Sequence, residues 1–374
     1  MPESRDCVLV GGGVVGLTLA RRLAGEGWSV TLVERSACGT EASWAGAGVL
    51  SPLDPRRRDP IFQLSERSLE LYPTFCADLL AETGVDPEFE RCGELEVLVD
   101  QEAVSAARSI ARADAHEGES DSSGYEFLSP AQLLNLEPYV TREVLGGLRC
   151  RRTAQVRNPR LLRALRGACL NAGVVLRENT IVRSLRTSPQ GCIGGVLTDA
   201  GELKSATVVL CAGAWSSLLD QRLATLMPVH PVRGQMVLLK LDQRPFRPVV
   251  SCGKIYIVPR RDGHVLVGAT EEPEAGFQRR NTAQGVSYLL SSALALVPSL
   301  ASAPVVATWS GLRPGTPDHR PYIGPVPGYR GLFAATGHYR TGLTLAPATA
   351  EVISACLTGR PCAINPTCCL PGRA

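Results

Sequence analysis

The sequence lacks the features that would place it in a membrane, on a nucleic acid or around a structural metal. No apolar run reaches the roughly 18 residues of a membrane span, and the N-terminal residues lack a signal-peptide core, which predicts a cytoplasmic protein. Lys and Arg number 39 against 36 Asp and Glu, and with 5% aromatic residues no basic, aromatic-interleaved stripe predicts nucleic-acid binding. The 13 cysteines form no C-x-x-C pair, so we expect reduced thiols and no metal site.

Two segments stand apart from the apolar patterns of the chain. A polar run at 113–126 predicts a surface insertion whose order the sequence leaves open. Cys362, Cys368 and Cys369 lie in a proline-containing tail of undetermined function, where we expect exposed thiols. By contrast, Cys7 lies in an apolar run and is expected to be buried.

Strand and helix patterns open and close the chain, with several strands between them. A strand at about 6–10, a helix at about 14–24 and a strand at about 29–34 form a βαβ start. Three strands follow one another closely across 234–270, which predicts an antiparallel sheet. A strand, a glycine turn and a long helix occupy 331–357.

The glycine motif GGGVVG joins the first predicted strand to the first predicted helix. Gly11 permits the tight turn, Gly13 lets the backbone approach a pyrophosphate, and Gly16 allows the helix to pack closely on the strand. The N-terminal N–H groups of the helix then face the phosphates. Glu34 ends the second predicted strand, where its carboxylate can accept both hydroxyl hydrogens of a ribose. These residues predict a dinucleotide site.

The choice between NAD and FAD rests on the rest of the chain. A second strand–glycine–helix junction, ATGHYRTGLTLAP, lies near the C-terminus, and VVLCAGAW ends a further strand in small residues. Separated glycine sites around one elongated cofactor favour FAD. We therefore predict an α/β plus α+β protein: a Rossmann-type FAD-binding domain (1–85, 145–218 and 305–374) with an inserted antiparallel-sheet substrate domain (86–144 and 219–304).

Four motifs carry a resemblance to a known family. They are KIYIVPRRDG (254–263), VGAT (267–270), WSGLRPGTPDHRPYIG (309–324) and GHYRTGLTLAPATA (337–350). On these motifs the chain resembles the D-amino-acid oxidase-like family of FAD-dependent oxidoreductases over about 6–359. Within that family it is most similar to the glycine oxidases of thiamine biosynthesis. The resembling enzymes form homo-oligomers, so a dimer or tetramer is expected.

The resemblance also implies roles for individual residues. Arg313 matches the arginine that clamps the substrate α-carboxylate, Tyr256 matches a tyrosine hydroxyl near that carboxylate, and Arg340 matches a second arginine beside the flavin. FAD contacts are implied in the glycine turn, after the second strand, in a small-residue segment and in the last glycine loop: Val14, Val15, Glu34, Arg35, Ala42, Ser43, Ala47, Gly48, Val49, Val182, His338, Tyr339, Arg340, Thr341, Gly342, Leu343 and Thr344.

The residues by themselves leave alternatives open for the substrate end. A guanidinium inside the small apolar motif GLRPG needs an anion, which is either a substrate carboxylate or a structural partner such as Asp318 or Glu271. Tyr256 fits a substrate contact or a half-buried strand tyrosine. Glu271 and Glu272 follow VGAT where the resembling family usually has an apolar residue, so the substrate preference stays open.

We predict no catalytic side chain, because the flavin carries the chemistry. The expected reaction is oxidative deamination of glycine, sarcosine or small D-amino acids by hydride transfer to flavin N5. Reoxidation by O2 would then give H2O2, and the imine would yield glyoxylate and ammonia or feed thiamine thiazole synthesis. Alternatives are a sarcosine oxidase-like enzyme, a D-amino-acid dehydrogenase and a flavin-bearing scaffold. WSGLRPGTPDH contains no cysteine, which favours noncovalent FAD.

Overall fold

The computed structural model describes residues 6–54, 56, 59–116, 124–362 and 364–373. The strands are β1 (Asp6–Val10), β2 (Ser29–Val33), β3 (Val49–Leu50), β4 (Glu94–Leu98), β5 (Tyr125–Leu128), β6 (Gly146–Cys150), β7 (Ala154–Gln155), β8 (Val175–Arg177), β9 (Val182–Thr187), β10 (Ile193–Thr198), β11 (Gly201–Lys204), β12 (Val208–Leu210), β13 (His230–Lys240), β14 (Val249–Cys252), β15 (Ile255–Pro259), β16 (His264–Gly268), β17 (Val305–Gly315), β18 (Tyr322–Pro325) and β19 (Leu332–Thr336). The α-helices are α1 (Val14–Gly25), α2 (Ala42–Ala45), α3 (Pro60–Thr83), α4 (Gln101–His116), α5 (Pro130–Leu136), α6 (Asn158–Asn171), α7 (Gln221–Leu226), α8 (Ala283–Leu296) and α9 (Gly342–Thr358).

A mainly parallel sheet contains the first strands of the chain, in the order β18-β19-β12-β1-β2-β8. Its central strand β1 pairs in parallel with both β12 and β2, so that Leu9 lies between Val209 and Leu32. β18 is antiparallel to β19 at one edge. Helices α1, α3, α6 and α9 share an apolar core with Cys7 and Leu9, whereas Val8 and Val10 belong to a second core. Both faces of β1 are therefore buried, which explains its continuous apolar run.

A mainly antiparallel sheet has the order β17-β13-β16-β15-β14-β4-β6-β5. The one parallel pair among these described strands joins β4 to β14. Alternate residues such as Leu95, Ile257 and Val267 pack with Leu289 of α8 in one core. The opposite face carries Tyr256 and faces a large cavity. The predicted fold class, a parallel nucleotide-binding sheet combined with an antiparallel sheet, is confirmed.

Sheet membership differs from the predicted domain limits at two strands. β6 and β17 belong to the antiparallel sheet, although the predicted limits assign 145–218 and 305–374 to the FAD-binding domain. The pairing of β13 with β17 extends from His230 opposite Gly315 to Leu239 opposite Val305. Because these segments are far apart in the chain, no local sequence signal indicates the pairing. The rest of the predicted domain division stays a prediction.

The expected surface segments are also placed in part. The predicted insertion at 113–126 lies partly outside the described residues; 113–116 end α4, and β5 begins at Tyr125. In the tail, Cys362 is exposed as expected, whereas Cys369 is buried against the core beside the parallel sheet, which corrects that expectation. Cys7 is buried as predicted. None of the helices in the described part of the chain has the length and apolar character needed to cross a membrane.

Candidate active site

A cavity of about 810 Å³ is lined by residues of both large sheets. It runs from the glycine turn after β1 to the face of the antiparallel sheet that carries Tyr256 and Arg313. Its volume lies in the range of about 300–1,000 Å³ that is typical of ligand sites. With the exception of Gly16, every residue that the sequence analysis assigned to cofactor or substrate lines this cavity.

The glycine turn brings backbone close to the cavity. Gly11 has φ +112°, and a Cβ there would lie 2.4 Å from the Cys211 carbonyl oxygen, so this position requires glycine. Gly13 is the N-cap residue of α1 and has no side chain to accept the first N–H groups of the helix. The Val14 N–H donates to Ser43 Oγ at 2.9 Å. A Cβ at Gly16 would lie 2.0 Å from the Gly11 carbonyl oxygen. Gly16 therefore permits the close helix packing that the sequence predicted, and it does not line the cavity; its place among the cofactor residues stays a prediction.

Glu34 places a carboxylate, a hydrogen-bond acceptor, directly after β2. Its side chain is buried, and its two oxygens accept N–H groups of Gly12 at 2.7 Å and Ser36 at 3.0 Å. Next to it, the Arg35 guanidinium lies 3.6 Å from the ring centroid of Trp215. Trp215 lines the cavity here and was not singled out from the sequence. The start of α1, where the N-cap residue Gly13 has no side chain, and the buried carboxylate fit the diphosphate and ribose of a dinucleotide.

A buried arginine supports the small-residue wall of the cavity. The Arg260 guanidinium donates to the carbonyl oxygen of Ala47 at 2.6 Å and of Val156 at 2.9 Å. A Cβ at Gly48, which has φ +73°, would lie 2.0 Å from the same Val156 oxygen. Arg260 was missed as a site residue because its acceptors are backbone carbonyls far away in sequence. The motif KIYIVPRRDG did contain the signal, an arginine directly after a buried strand.

The last glycine loop, residues 338–344, lies between β19 and α9 and lines the cavity. His338 is buried, and its Nε2 lies 3.1 Å from Thr349 Oγ1. Burial lowers the pKa of His338 to about 3, so the ring is neutral at physiological pH and poorly suited to accept a proton. His338 is therefore not a candidate general base in this cavity.

Arg313 projects from β17 into the substrate end of the cavity. Its side chain is half-buried, and Nη1 donates to the Thr270 carbonyl oxygen at 3.0 Å. Burial lowers the pKa of Arg313, yet a guanidinium stays protonated in proteins. Burial also raises the pKa of Tyr256, whose hydroxyl therefore remains a donor at neutral pH. A cation and a hydroxyl donor thus face the same space.

The two structural partners considered for Arg313 are occupied elsewhere. Asp318 accepts from Arg373 at 2.9 Å. Glu271 forms ion pairs with Lys254 and Arg340, both at 2.7 Å. Among the described residues no carboxylate forms an ion pair with Arg313, so its charge is free to meet an anionic ligand.

Two carboxylates of β4 also line the cavity and were missed from the sequence. Glu94 accepts from Ser51 at 2.9 Å and from Ser251 at 3.0 Å. Burial, reinforced by the charge of Glu94, raises the pKa of Glu96. The alternation in GELEVLVD places both carboxylates on the strand face opposite Leu95. The sequence pattern could predict that both carboxylates share one face of the strand. That this face lines the cavity follows only from the order of the strands in the sheet.

Comparison with known proteins agrees with this geometry. Residues 6–356 match the FAD dependent oxidoreductase (DAO) family. The chain is 42% identical over 376 residues to the glycine oxidase of Pseudomonas aeruginosa, with 97% of each chain covered. It is 35% identical over 356 residues to the bifunctional protein ThiO/ThiG of Nostoc sp., covering 94% of this chain and 52% of that protein.

A solved structure shows the same architecture. The glycine oxidase of Geobacillus kaustophilus aligns with a TM-score of 0.93 and 31% identity over 99% of this chain and 98% of that one. The cradle around the glycine turn and Glu34 is the part of the cavity that suits the dinucleotide of such enzymes. The chain belongs to the family of FAD-dependent oxidoreductases, and its cofactor is FAD.

Proposed function

We propose that this protein is an amine oxidase that oxidatively deaminates glycine and other small amines such as sarcosine and small D-amino acids. The observation that carries the proposal is Arg313, a half-buried cation without a carboxylate partner among the described residues, in the cavity that also contains the dinucleotide cradle. The relatives named glycine oxidase support the choice of substrate. A guanidinium binds a carboxylate through two parallel N–H bonds.

Each end of the cavity has its own task in this proposal. The N–H groups at the start of α1 would hold the diphosphate of FAD, Glu34 its ribose, and the 338–344 loop its flavin end. When bound, FAD supplies the two-electron acceptor for oxidation of the substrate Cα–H bond. Arg313 fixes the substrate carboxylate, and the Tyr256 hydroxyl orients it.

Apolar side chains form part of the cavity wall at the substrate end. Met236 and Val249, both buried, contribute apolar surface beside Tyr256. In this proposal a small amine binds with its carboxylate on Arg313. The net reaction is glycine, O2 and water giving glyoxylate, ammonia and H2O2. We also propose that the imine supplies thiamine thiazole synthesis, which the bifunctional ThiO/ThiG relative supports.

The experiment uses the purified, FAD-loaded protein. Oxygen uptake and peroxide are measured with glycine, sarcosine, D-alanine and D-proline, and flavin bleaching is followed without oxygen. We expect peroxide from glycine and bleaching by the same substrate. Bleaching without peroxide would replace the proposal with a dehydrogenase, and no bleaching by any of the four amines would overturn it.

Two accompanying measurements address the cofactor linkage and the assembly. Acid denaturation is expected to release the flavin into the supernatant, because we propose noncovalent binding. Light scattering is expected to give the mass of a dimer or tetramer, as proposed from the resemblance. Flavin that stays with the precipitate, or a monomer mass, would contradict these two points separately from the activity.

A further inference from the structure

Glu271 connects three separate segments at the substrate end of the cavity. It lies between β16 and α8, and its Oε2 forms ion pairs with Lys254, from the β14–β15 turn, and with Arg340, from the β19–α9 loop, both at 2.7 Å. Its Oε1 accepts a hydrogen bond from the Tyr339 hydroxyl. Lys254, Tyr339 and Arg340 all line the cavity. One carboxylate therefore engages both cations at this position.

These pairings determine which positive charges a ligand can reach. Arg313 alone can bind a ligand that has one carboxylate. A ligand with a second carboxylate on its amine substituent needs another cation nearby. Arg35 and Arg183 also line the cavity, but both lie near Glu34. Arg35 follows Glu34 directly in the sequence. Arg183 is on β9, which follows Thr180, and the Thr180 N–H donates to the Glu34 carbonyl oxygen. Arg340 and Lys254 are thus the cavity-lining cations at the substrate end besides Arg313.

Glu271 is the least exposed of the three charged side chains that form these ion pairs. Its side chain is 20% exposed, against 68% for Lys254 and 45% for Arg340. The hydrogen bond from Lys254, together with Arg340, lowers the pKa of Glu271, so the carboxylate is ionised at neutral pH. A second ligand carboxylate would have to displace this carboxylate from its cations and would be repelled by it.

We infer that Glu271 is a specificity-determining residue that restricts the cavity to amines with a single carboxylate, because it occupies Arg340 and Lys254. This inference rests on the proposed function and names the substrate class for that site. Glycine and sarcosine belong to the accepted class. Iminodiacetate, a sarcosine with a second carboxylate, belongs to the excluded class.

The first test measures ligand binding and needs no turnover. Methoxyacetate and diglycolate are ether analogues of sarcosine and iminodiacetate that lack an oxidisable amine. Their Kd values are measured on the FAD-loaded protein by flavin absorbance or calorimetry, for wild type, Glu271→Gln and Glu271→Ala. We expect the preference for diglycolate over methoxyacetate to rise by about tenfold or more in both variants, since two cations lose their partner.

A matched control and a reversal make the result specific. Glu274→Gln removes the same charge from an exposed position three residues along the chain and is expected to leave the preference within about twofold of wild type. Adding Lys254→Met and Arg340→Met to Glu271→Gln is expected to remove the gain. An unchanged preference in Glu271→Gln and Glu271→Ala, or a gain that persists without both cations, would overturn the inference.

The second test measures oxidation. Iminodiacetate, O2 and water would give glycine, glyoxylate and H2O2, so initial rates are compared as the ratio of kcat/KM for iminodiacetate to that for glycine. We expect this ratio to rise about tenfold or more in Glu271→Gln, in line with the binding data. A wild-type protein whose flavin is bleached by none of the four amines would refute the proposed function, while the ligand preferences would still decide the role of Glu271.

Discussion

Replacing Arg313 tests the proposed substrate contact most directly. Arg313→Met keeps much of the apolar stem but removes the guanidinium, which lies at the substrate end of the cavity and donates to the Thr270 carbonyl oxygen at 3.0 Å. A hydrogen bond to a charged group contributes about 1.5–3 kcal/mol, which corresponds to a rise of about 10- to 150-fold in the KM for glycine. The effect on KM is expected to exceed the effect on kcat, because the carboxylate is bound before and during the reaction.

The same contact can be disturbed without removing the charge. A Cβ at Gly234 would lie 2.3 Å from Arg313 Nη1, so the guanidinium rests on the Gly234 backbone. Gly234→Ala is therefore expected to displace the guanidinium and raise the KM for glycine as well. Oxygen uptake at varied glycine concentrations measures both variants, and the FAD content and Tm of each preparation are recorded alongside.

The control for both variants is Arg280→Ala, which removes an exposed arginine away from the cavity lining. Its KM is expected to stay within about twofold of wild type. A KM for Arg313→Met within about threefold of wild type, with normal FAD content, would refute the reasoning, because a bidentate charge-assisted contact is worth more than that.

Three further perturbations test the cofactor end of the cavity. Gly11→Ala, whose Cβ would meet the Cys211 carbonyl oxygen, is expected to destabilise the fold by about 2–5 kcal/mol in denaturant unfolding. The control Gly27→Ala has a similarly positive φ in open space and is expected to cost about 1–2 kcal/mol; equal costs would contradict the steric argument. Glu34→Gln keeps the size of the side chain but removes its charge, and is expected to weaken FAD binding about tenfold in a fluorescence titration; unchanged affinity would argue against a ribose contact. Because the pKa of His338 is about 3 in the folded protein and 6.5 in the reference state, the unfolded state binds the proton first as the pH falls, and stability is lost below about pH 6.5. Between about pH 8 and 5.5 this amounts to about 1.4 kcal/mol, which His338→Gln is expected to remove from the pH dependence of unfolding; equal slopes for wild type and variant would contradict it.

The sequence predicted those parts of the site that local chemistry specifies. The strand–glycine–helix start appears as β1, the turn and α1 because Gly11 and Gly16 tolerate no side chain where backbone meets backbone. The position of Arg313 in a small apolar motif indicated a cation that needs an anion, and the structure places it in the cavity. Gly16 does not line the cavity, and its contact with the Gly11 backbone agrees with the helix-packing role that the motif predicts.

Only the tertiary structure decided which distant residues share the cavity. β17 joins the antiparallel sheet through its pairing with β13, although local patterns had placed this segment in the FAD-binding domain. Glu94 and Trp215 line the cavity, and Arg260 supports its wall at Ala47, through strand order and long-range contacts rather than through sequence spacing. The same holds for Glu271: the sequence showed an unexpected carboxylate, but its two cations come from different loops. The sequence specifies the chemistry of each side chain. The partners that set the charge and direction of a side chain are determined by the folding of remote segments against one another.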